Sequence, residues 1–174
     1  MAELIDISYF NGTGLFTVSN VDANIVTQEG NYSRLIACIK SYERELMYKL
    51  IGKTLYDALI TGLAVTPTPE TRWTTLANQL RNATELLSPI ANYIYTRQWQ
   101  REQRQHTESG DVVLSGTGLI NDANIPEICQ IWNQMVDWLI EFQNWFFQNE
   151  SNYTEWDGTA YIWTKNDYMN ILCL

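Results

Sequence analysis

Histidine occurs once in 174 residues, as His106, and cysteine three times, as Cys38, Cys129 and Cys173. An odd number of thiols with no C-x-x-C spacing argues against a disulfide framework, and a single histidine argues against a zinc site. Cys38 and Cys129 fall in apolar helical segments and are expected to be plain buried thiols. No run of 18 apolar residues occurs, so no membrane-spanning helix is expected. The first residues, "MAELIDISYF", lack the basic region and apolar run of a signal peptide. The expectation is a soluble protein of the cell interior, or of a particle assembled there. Five N-x-S/T triplets, beginning at Asn11, Asn31, Asn82, Asn149 and Asn152, are then accidents of composition. Positive charge is scarce in the second part of the chain. Residues 105–174 carry Lys165 alone against 10 acids, whereas residues 1–104 balance 10 against 10, and the whole chain stands at −9. An acidic surface repels nucleic acid and suits a basic protein partner.

Apolar and aromatic mass is plentiful, 45% and 13% of the residues, enough for one domain with a sizeable core. In "SYERELMYKLIGKTLYDAL" and the residues before it, Leu35, Ile39, Tyr42, Leu46 and Leu50 recur at three and four positions. Ile36, Cys38, Met47 and Ile51 lie beside them, which predicts an amphipathic helix. Gly52 would cost about 1 kcal/mol inside a helix but suits the left-handed position just beyond one. The chain is expected to turn there and restart a short helix that packs Leu55, Tyr56 and Leu59. Residues 1–28, with Asn-Gly-Thr-Gly between two extended segments, read as an N-terminal arm or hairpin that must dock on something.

After the proline-containing loop "TGLAVTPTPET", a helix starts at about Glu70 and apolar residues recur at Trp73, Leu76, Leu80, Ala83, Leu87, Ile90 and Ile94. Ser88-Pro89 interrupts this run, either as the N-cap of a second helix or as a kink in one. Residues 105–125 form a long projecting loop, a hairpin being the alternative, and loops of that length usually have a task. Asn124, Pro126 and Glu127 open the next helix, whose apolar positions Ile128, Ile131, Met135, Trp138, Phe142 and Trp145 are widened by Trp132, Leu139, Phe146 and Phe147. So wide an apolar face must be covered on more than one side. Its opposite face, Gln130, Asn133, Gln134, Asp137, Glu141, Asn144 and Gln148, fits either a wet subunit contact or an ordinary solvated surface. The tail, residues 150–174, is aromatic, turns at Asp-Gly and ends in an apolar run from Met169 to Leu174, so it is expected to pack on the body or on a neighbour. The fold class is therefore mainly α: one helical-bundle domain with an N-terminal extended arm or hairpin, a long loop and an extended C-terminal tail.

Chemistry is sparse. His106 follows a charged helix end beside a loop, a poor setting for the oriented base of a nucleophilic triad. "SGTGLIND" is rich in glycine but lacks the Gly-Lys-Ser/Thr ending of a phosphate loop. Glu108, Asp111 and Asp122 supply the loop carboxylates a glycoside hydrolase would need, and a small helical carbohydrate-active hydrolase is the rival enzymatic reading. No catalytic residue, cofactor-binding motif or metal site is assigned. Arg97, Arg101 and Arg104 stand at i, i+4 and i+7, one helical face with Trp99 nearby. Such a stripe is a solvated face, a phosphate contact or a docking strip for an acidic surface, for which the acidic half of a neighbouring copy would serve.

Two stretches go further. "ISYFNGTGLFTVSNV", followed by "LIACIKSYERELMYKLIGKTLYDAL", resembles a family of structural proteins of tailed phages of gut Bacteroides and relatives, the crAss-like phages included. In that family a Tyr-Phe arm precedes a helix ending in a Tyr-Glu, Leu-Leu-Gly, Leu-Tyr pattern. The matching residues are Tyr9, Phe10, Tyr42, Glu43, Leu50, Gly52, Leu55 and Tyr56, with Ile51 where the pattern has leucine. The resemblance spans most of the chain in layout, with its specific motifs in the first 60 residues. It implies a head-to-tail connector, an adaptor or ring protein at the head-to-tail vertex of the virion, assembled in the host bacterial cytoplasm. Its partners would be the portal protein, neighbouring copies in a ring of about twelve, other neck or tail ring proteins, and genomic DNA passing without sequence-specific contact; no membrane is involved. No catalytic residue is carried over. On this reading Tyr9 and Phe10 of the arm, the Arg97, Arg101 and Arg104 strip, and Trp156, Tyr161 and Trp163 of the tail are the candidate contact residues. A portal-associated cargo or scaffolding protein is the further alternative.

Overall fold

In the computed structural model, residues 3–10, 26–102, 104–107, 110–113, 125–158 and 160–169 are described. Their helices are α1 (Val26–Ile51), α2 (Lys53–Leu63), α3 (Thr71–Leu80), α4 (Pro89–Glu102) and α5 (Ile125–Asn149). Between α4 and α5 lie two short strands, β1 (Arg104–Thr107) and β2 (Gly110–Val113), paired antiparallel with Arg104 opposite Val113. The expectation of a mainly helical chain is met. The Asn-Gly-Thr-Gly turn, residues 114–124 and the last residues, 170–174, lie outside the described part.

α1 packs on α4 and α4 on α5, while α2 folds back against α1 and carries α3. A single apolar core runs through all five helices and takes in Leu4, Ile5, Tyr9 and Phe10 from the N-terminal segment and Tyr153 and Trp163 from the tail. The α1–α2 turn is made at Gly52, buried, with φ 79° and ψ 161°. The positive φ agrees with the sequence. The extended ψ differs from the expected left-handed helical cap, and Gly52 acts as the N-cap of α2, its carbonyl accepting the Tyr56 amide at 3.2 Å. That backbone region is accessible in practice only to glycine. A second glycine is needed for a different reason. Gly62 lies where α2 crosses α3, and a Cβ there would run into the Trp73 indole. Gly62→Ala is expected to lose about 1 to 3 kcal/mol of stability through this overpacking, read as a lower urea midpoint at unchanged slope; an unchanged midpoint would mean that the α2–α3 contact is loose.

The Ser88 region resolves into two helices. α3 ends at Leu80, residues 81–88 form a loop, and the Ser88 hydroxyl accepts the Ile90 amide at 3.1 Å while donating to the Leu80 carbonyl at 2.8 Å. Pro89 then occupies the first helical position, where its missing N–H costs nothing. Ala83, counted with the apolar run by its spacing, is therefore exposed in the loop.

The register of α1 differs from the expected one at its centre. Leu35, Ile39, Leu46 and Leu50 are buried, but the core position between Ile39 and Leu46 is filled by Glu43, fully inaccessible, and Tyr42 stands half-buried beside it. A buried carboxylate is costly unless its oxygens are hydrogen-bonded. Glu43 accepts the Leu4 amide at 2.7 Å, the Ile5 amide at 3.3 Å and the Tyr56 hydroxyl at 2.6 Å. The Gly52 turn is what brings Tyr56 back along α1 to this carboxylate. Glu43 therefore fastens the N-terminal segment to both arms of the α1–α2 hairpin, and Arg81 closes the clasp by donating to the Leu4 carbonyl.

Candidate interaction surfaces

The structure distributes the eight candidate contact residues over three settings. Tyr9 and Phe10 are in the chain's own core, 5% and 2% exposed, in a 3-10 turn over residues 7–10. They anchor the N-terminal segment inward and are not available as an outer contact, which corrects the expectation. Burial of these two rings in the core of the same chain stabilises the fold without a partner.

The arginines part company. Arg97 belongs to the α1–α4 contact. Its guanidinium lies 3.5 Å from the Glu45 carboxylate and 5.9 Å from the ring centres of both Tyr42 and Tyr93. Glu45 also accepts the Tyr93 hydroxyl at 2.8 Å and the Lys49 ammonium at 3.0 Å. Burial raises the Glu45 carboxyl, and the Tyr93, Lys49 and Arg97 contacts together outweigh it, leaving Glu45 below its ordinary value. Arg101 is exposed near the end of α4. Arg104 is not on that helix at all but opens β1, so the expected three-arginine stripe is cut to two by the end of α4 at Glu102. Arg101 instead joins Arg34, Ala37, Cys38, Ser41 and Tyr42 around a cavity of about 370 Å³ between α1 and α4. Arg34 stands on α1 about two turns before Tyr42, so the basic residues at this cavity come from two helices and not from one stripe.

The tail is a strap. After α5 it crosses α3, where the Arg72 guanidinium grips the Glu155 carboxylate in a two-point contact at 2.9 and 3.0 Å and stacks 4.0 Å over the Trp73 ring. Asp157 and Gly158, the latter with φ 81°, turn it back along α5. There α5 side chains hold tail backbone. Gln143, 4% exposed, donates to the Tyr161 carbonyl at 2.5 Å and accepts the Trp163 amide at 2.9 Å. Trp132 donates to the Asp167 carbonyl at 2.6 Å, and the Asn133 amide bonds both N–H and C=O of Met169. Of the tail candidates, Trp163 is buried and packs between Trp132 and Tyr161, Trp156 is half-buried against Phe146 and Phe147, and only Tyr161, with its neighbour Ile162, is substantially exposed. Residues 150–158 and 160–169 thus run along α3 and α5.

The outer face of α5 keeps the polar character its sequence gives it. Glu127, Gln130, Gln134, Asp137, Glu141, Asn144 and Gln148 are all exposed at alternating spacings of three and four. Asn133, grouped with them by sequence, is instead half-buried under the tail.

Of the carboxylates considered for hydrolysis, Asp111 lies in β2, opposite His106 of β1, and Glu108 and Asp122 lie outside the described residues. Cys38 and Cys129 are buried thiols in no disulfide, as expected. Among the described residues no group of three His, Cys, Asp or Glu side chains is placed to hold a metal ion, and no helix is long and apolar enough to cross a membrane. No protein family, curated protein or solved structure matches the chain.

Proposed function

We propose that this chain is a virion structural protein, a head-to-tail connector subunit that docks on a portal and extends the DNA channel through the phage neck, acting by assembly and not by catalysis. The observation that carries the reading is the convergence of its family-like residues. Tyr9, Phe10, Leu50, Leu55 and Tyr56 are buried in the core, Tyr42 packs at its edge, Glu43 is buried and accepts from Leu4, Ile5 and Tyr56, and Gly52 makes the α1–α2 turn. Glu43, Gly52 and Tyr56 thus serve one device, an N-terminal segment clasped by a buried carboxylate to a helical hairpin. The uneven charge supports the same reading, since a neutral half and an acidic half suit association of unlike faces, which closes into a ring when repeated with rotation.

Immunogold electron microscopy of purified phage particles, with an antibody to this chain, tests the proposal. Gold at the single head-to-tail vertex is the expected result. Particles without label there, with a control establishing that the epitope is accessible, would overturn it and turn attention to the loop carboxylates Glu108, Asp111 and Asp122.

A further inference from the structure

From the tail inward, four aromatic rings form a row. Tyr161 lies 5.1 Å from Trp163 between ring centres, Trp163 lies 6.1 Å from Trp132 of α5, and Trp132 lies 6.0 Å from Tyr93 of α4. Spacings of this size are ordinary for packed aromatic rings, and the ends of the row set it apart. Each end is a tyrosine whose hydroxyl donates to a carboxylate, Tyr93 to Glu45 and Tyr161 to Asp167. Each joint between them is a tryptophan, a ring that gives up a single electron far more readily than phenylalanine. One end is in the core, with Tyr93 3% exposed, and the other is at the surface, with Tyr161 48% exposed. Tyr161 is nonetheless held in place: its amide donates to the Lys49 carbonyl at 2.6 Å, and its carbonyl accepts from Gln143. Asp167 is fixed too, its second oxygen accepting the Thr164 amide at 2.8 Å. The cluster around Tyr153 lacks such an end. Tyr153 lies 6.2 Å from Trp73 and 6.3 Å from Trp145, but it is buried and its hydroxyl donates to the Arg72 carbonyl, which is no base.

We propose that Trp132 and Trp163 relay an oxidising equivalent from the α4–α5 contact to the surface, and that Tyr161 is the residue on which a one-electron oxidation of this chain comes to rest. The oxidant is a diffusible radical. It takes one electron from Trp132, whose ring is only half-buried, Trp163 replaces that electron, and Tyr161 replaces the one lost by Trp163. Neither indole N–H faces a base: Trp132 donates to the Asp167 carbonyl at 2.6 Å, and the N–H of Trp163 is buried with no hydrogen-bond partner among the described residues. Each tryptophan therefore keeps its proton while the charge passes. In the last step the phenolic proton of Tyr161 goes to the Asp167 carboxylate and from there to water. Both tryptophans end unchanged; the oxidant has gained one electron, and Tyr161 has lost one electron and one proton. The row runs outward because, at neutral pH, a phenol that loses its proton with its electron is oxidised more easily than an indole. Tyr93 is the poorer resting place. The Arg97 guanidinium, 5.9 Å from its ring centre, opposes loss of an electron there, and Lys49 and Arg97 favour the charged form of Glu45, which makes it a reluctant proton acceptor. The radical on Tyr161 is exposed, so two copies so oxidised couple by a carbon–carbon bond between their phenol rings, after which the hydrogen on each joined carbon returns to its own oxygen.

Pulse radiolysis of the full chain with azide radical, which oxidises tryptophan in preference to tyrosine at neutral pH, tests this. Tryptophan-radical absorbance is expected to give way to tyrosyl-radical absorbance in a first-order step whose rate does not depend on protein concentration. Tyr161→Phe keeps the ring and removes only an exposed hydroxyl; it is expected to lose more than half of the tyrosyl amplitude. Trp163→Phe is expected to lose more than half of the rate, with circular dichroism checking that its helices are retained. Tyr168→Phe is the control: Tyr168 also donates to a carboxylate, that of Asp137, but has no place in the row, and its loss should change neither amplitude nor rate. Under continuous radical generation, wild type is expected to give a covalent dimer joined at Tyr161, identified by mass spectrometry of its peptides, and Tyr161→Phe is not. Tryptophan radical that decays without tyrosyl growth, growth that quickens with protein concentration, or a Tyr161→Phe amplitude equal to that of wild type would each overturn the proposal. So would a Tyr168→Phe loss as large as that of Tyr161→Phe, or a folded Trp163→Phe that transfers at the wild-type rate. If Trp163→Phe unfolds, the Tyr161→Phe amplitude and the concentration dependence decide.

Discussion

Glu43→Leu is expected to detach residues 3–10 from the helical body and to lower stability by about 3 kcal/mol. Three donors, the Leu4 and Ile5 amides and the Tyr56 hydroxyl, lose their acceptor in a site sealed from water. Each buried donor left without a partner costs about 1 to 3 kcal/mol, and leucine's added apolar area returns part of the sum. Urea unfolding and limited proteolysis at the N-terminus are the two measurements. A variant with the wild-type midpoint and an equally protected N-terminus would mean that the core holds this segment without the clasp.

The same carboxylate gives a pH dependence with a definite sign. Burial raises the Glu43 carboxyl above its ordinary value of 4.5, and the amide and Tyr56 hydrogen bonds, which favour the ionised form, do not overcome it. The negative charge of Glu3 nearby pushes in the same direction as burial. A carboxyl raised in the folded state binds its proton more tightly there than in the unfolded chain, so folding is favoured by protonation. The stability it contributes is complete below pH 4.5 and is lost as the pH climbs through the raised folded value. The margin of wild type over Glu43→Gln, measured by urea unfolding at a series of pH values, is therefore expected to be widest in acid and to narrow on going toward neutrality. A margin that widened instead would mean that the hydrogen bonds outweigh desolvation.

Trp163→Ala is the second large effect, about 3 to 5 kcal/mol, the usual loss when a buried indole is truncated. Trp163 is 7% exposed and joins the core from a segment with almost no regular secondary structure. Its backbone amide is pinned by Gln143 and its ring contacts Trp132. Removing the ring leaves the strap between Gly158 and Met169 held by hydrogen bonds that water can replace. Proteolytic cutting within residues 158–169 is expected to appear in the variant while α5 stays protected. Ile162→Ser, at the adjacent exposed position, is the control and should change stability by less than about 0.5 kcal/mol. Equal small effects at both positions would show that the tail lies on the surface without anchoring.

Both predictions concern residues whose role no periodicity announced. Glu43 stands three before Leu46 and four after Ile39, squarely in the apolar stripe, yet a charged residue reads as solvated and the apolar spacing alone runs through Tyr42 instead. Only the return of Tyr56 and the approach of two backbone amides from residues 4 and 5 make that position tolerable for a carboxylate. Gln143 is the parallel case on α5: an amide at a core position is satisfied by a backbone that arrives from 18 and 20 residues later.

By itself the sequence determined the mainly helical class, the Gly52 turn and the breadth of the α5 apolar face, and it marked Ser88–Pro89 as either a second helix start or a kink. Each of these is local physics: a period of three and four, a glycine that alone tolerates positive φ, a serine oxygen for an orphan amide, and a proline whose ring fits the first turn. Tertiary structure decided the rest. It turned Tyr9 and Phe10 inward, assigned Arg104 to a strand, split the tail into buried Trp163 and exposed Tyr161, and gathered Arg34 with Arg101, which stand on different helices. The reason is that burial and charge pairing depend on which segments meet in space, and no spacing within one helix encodes what a distant segment will bring to it.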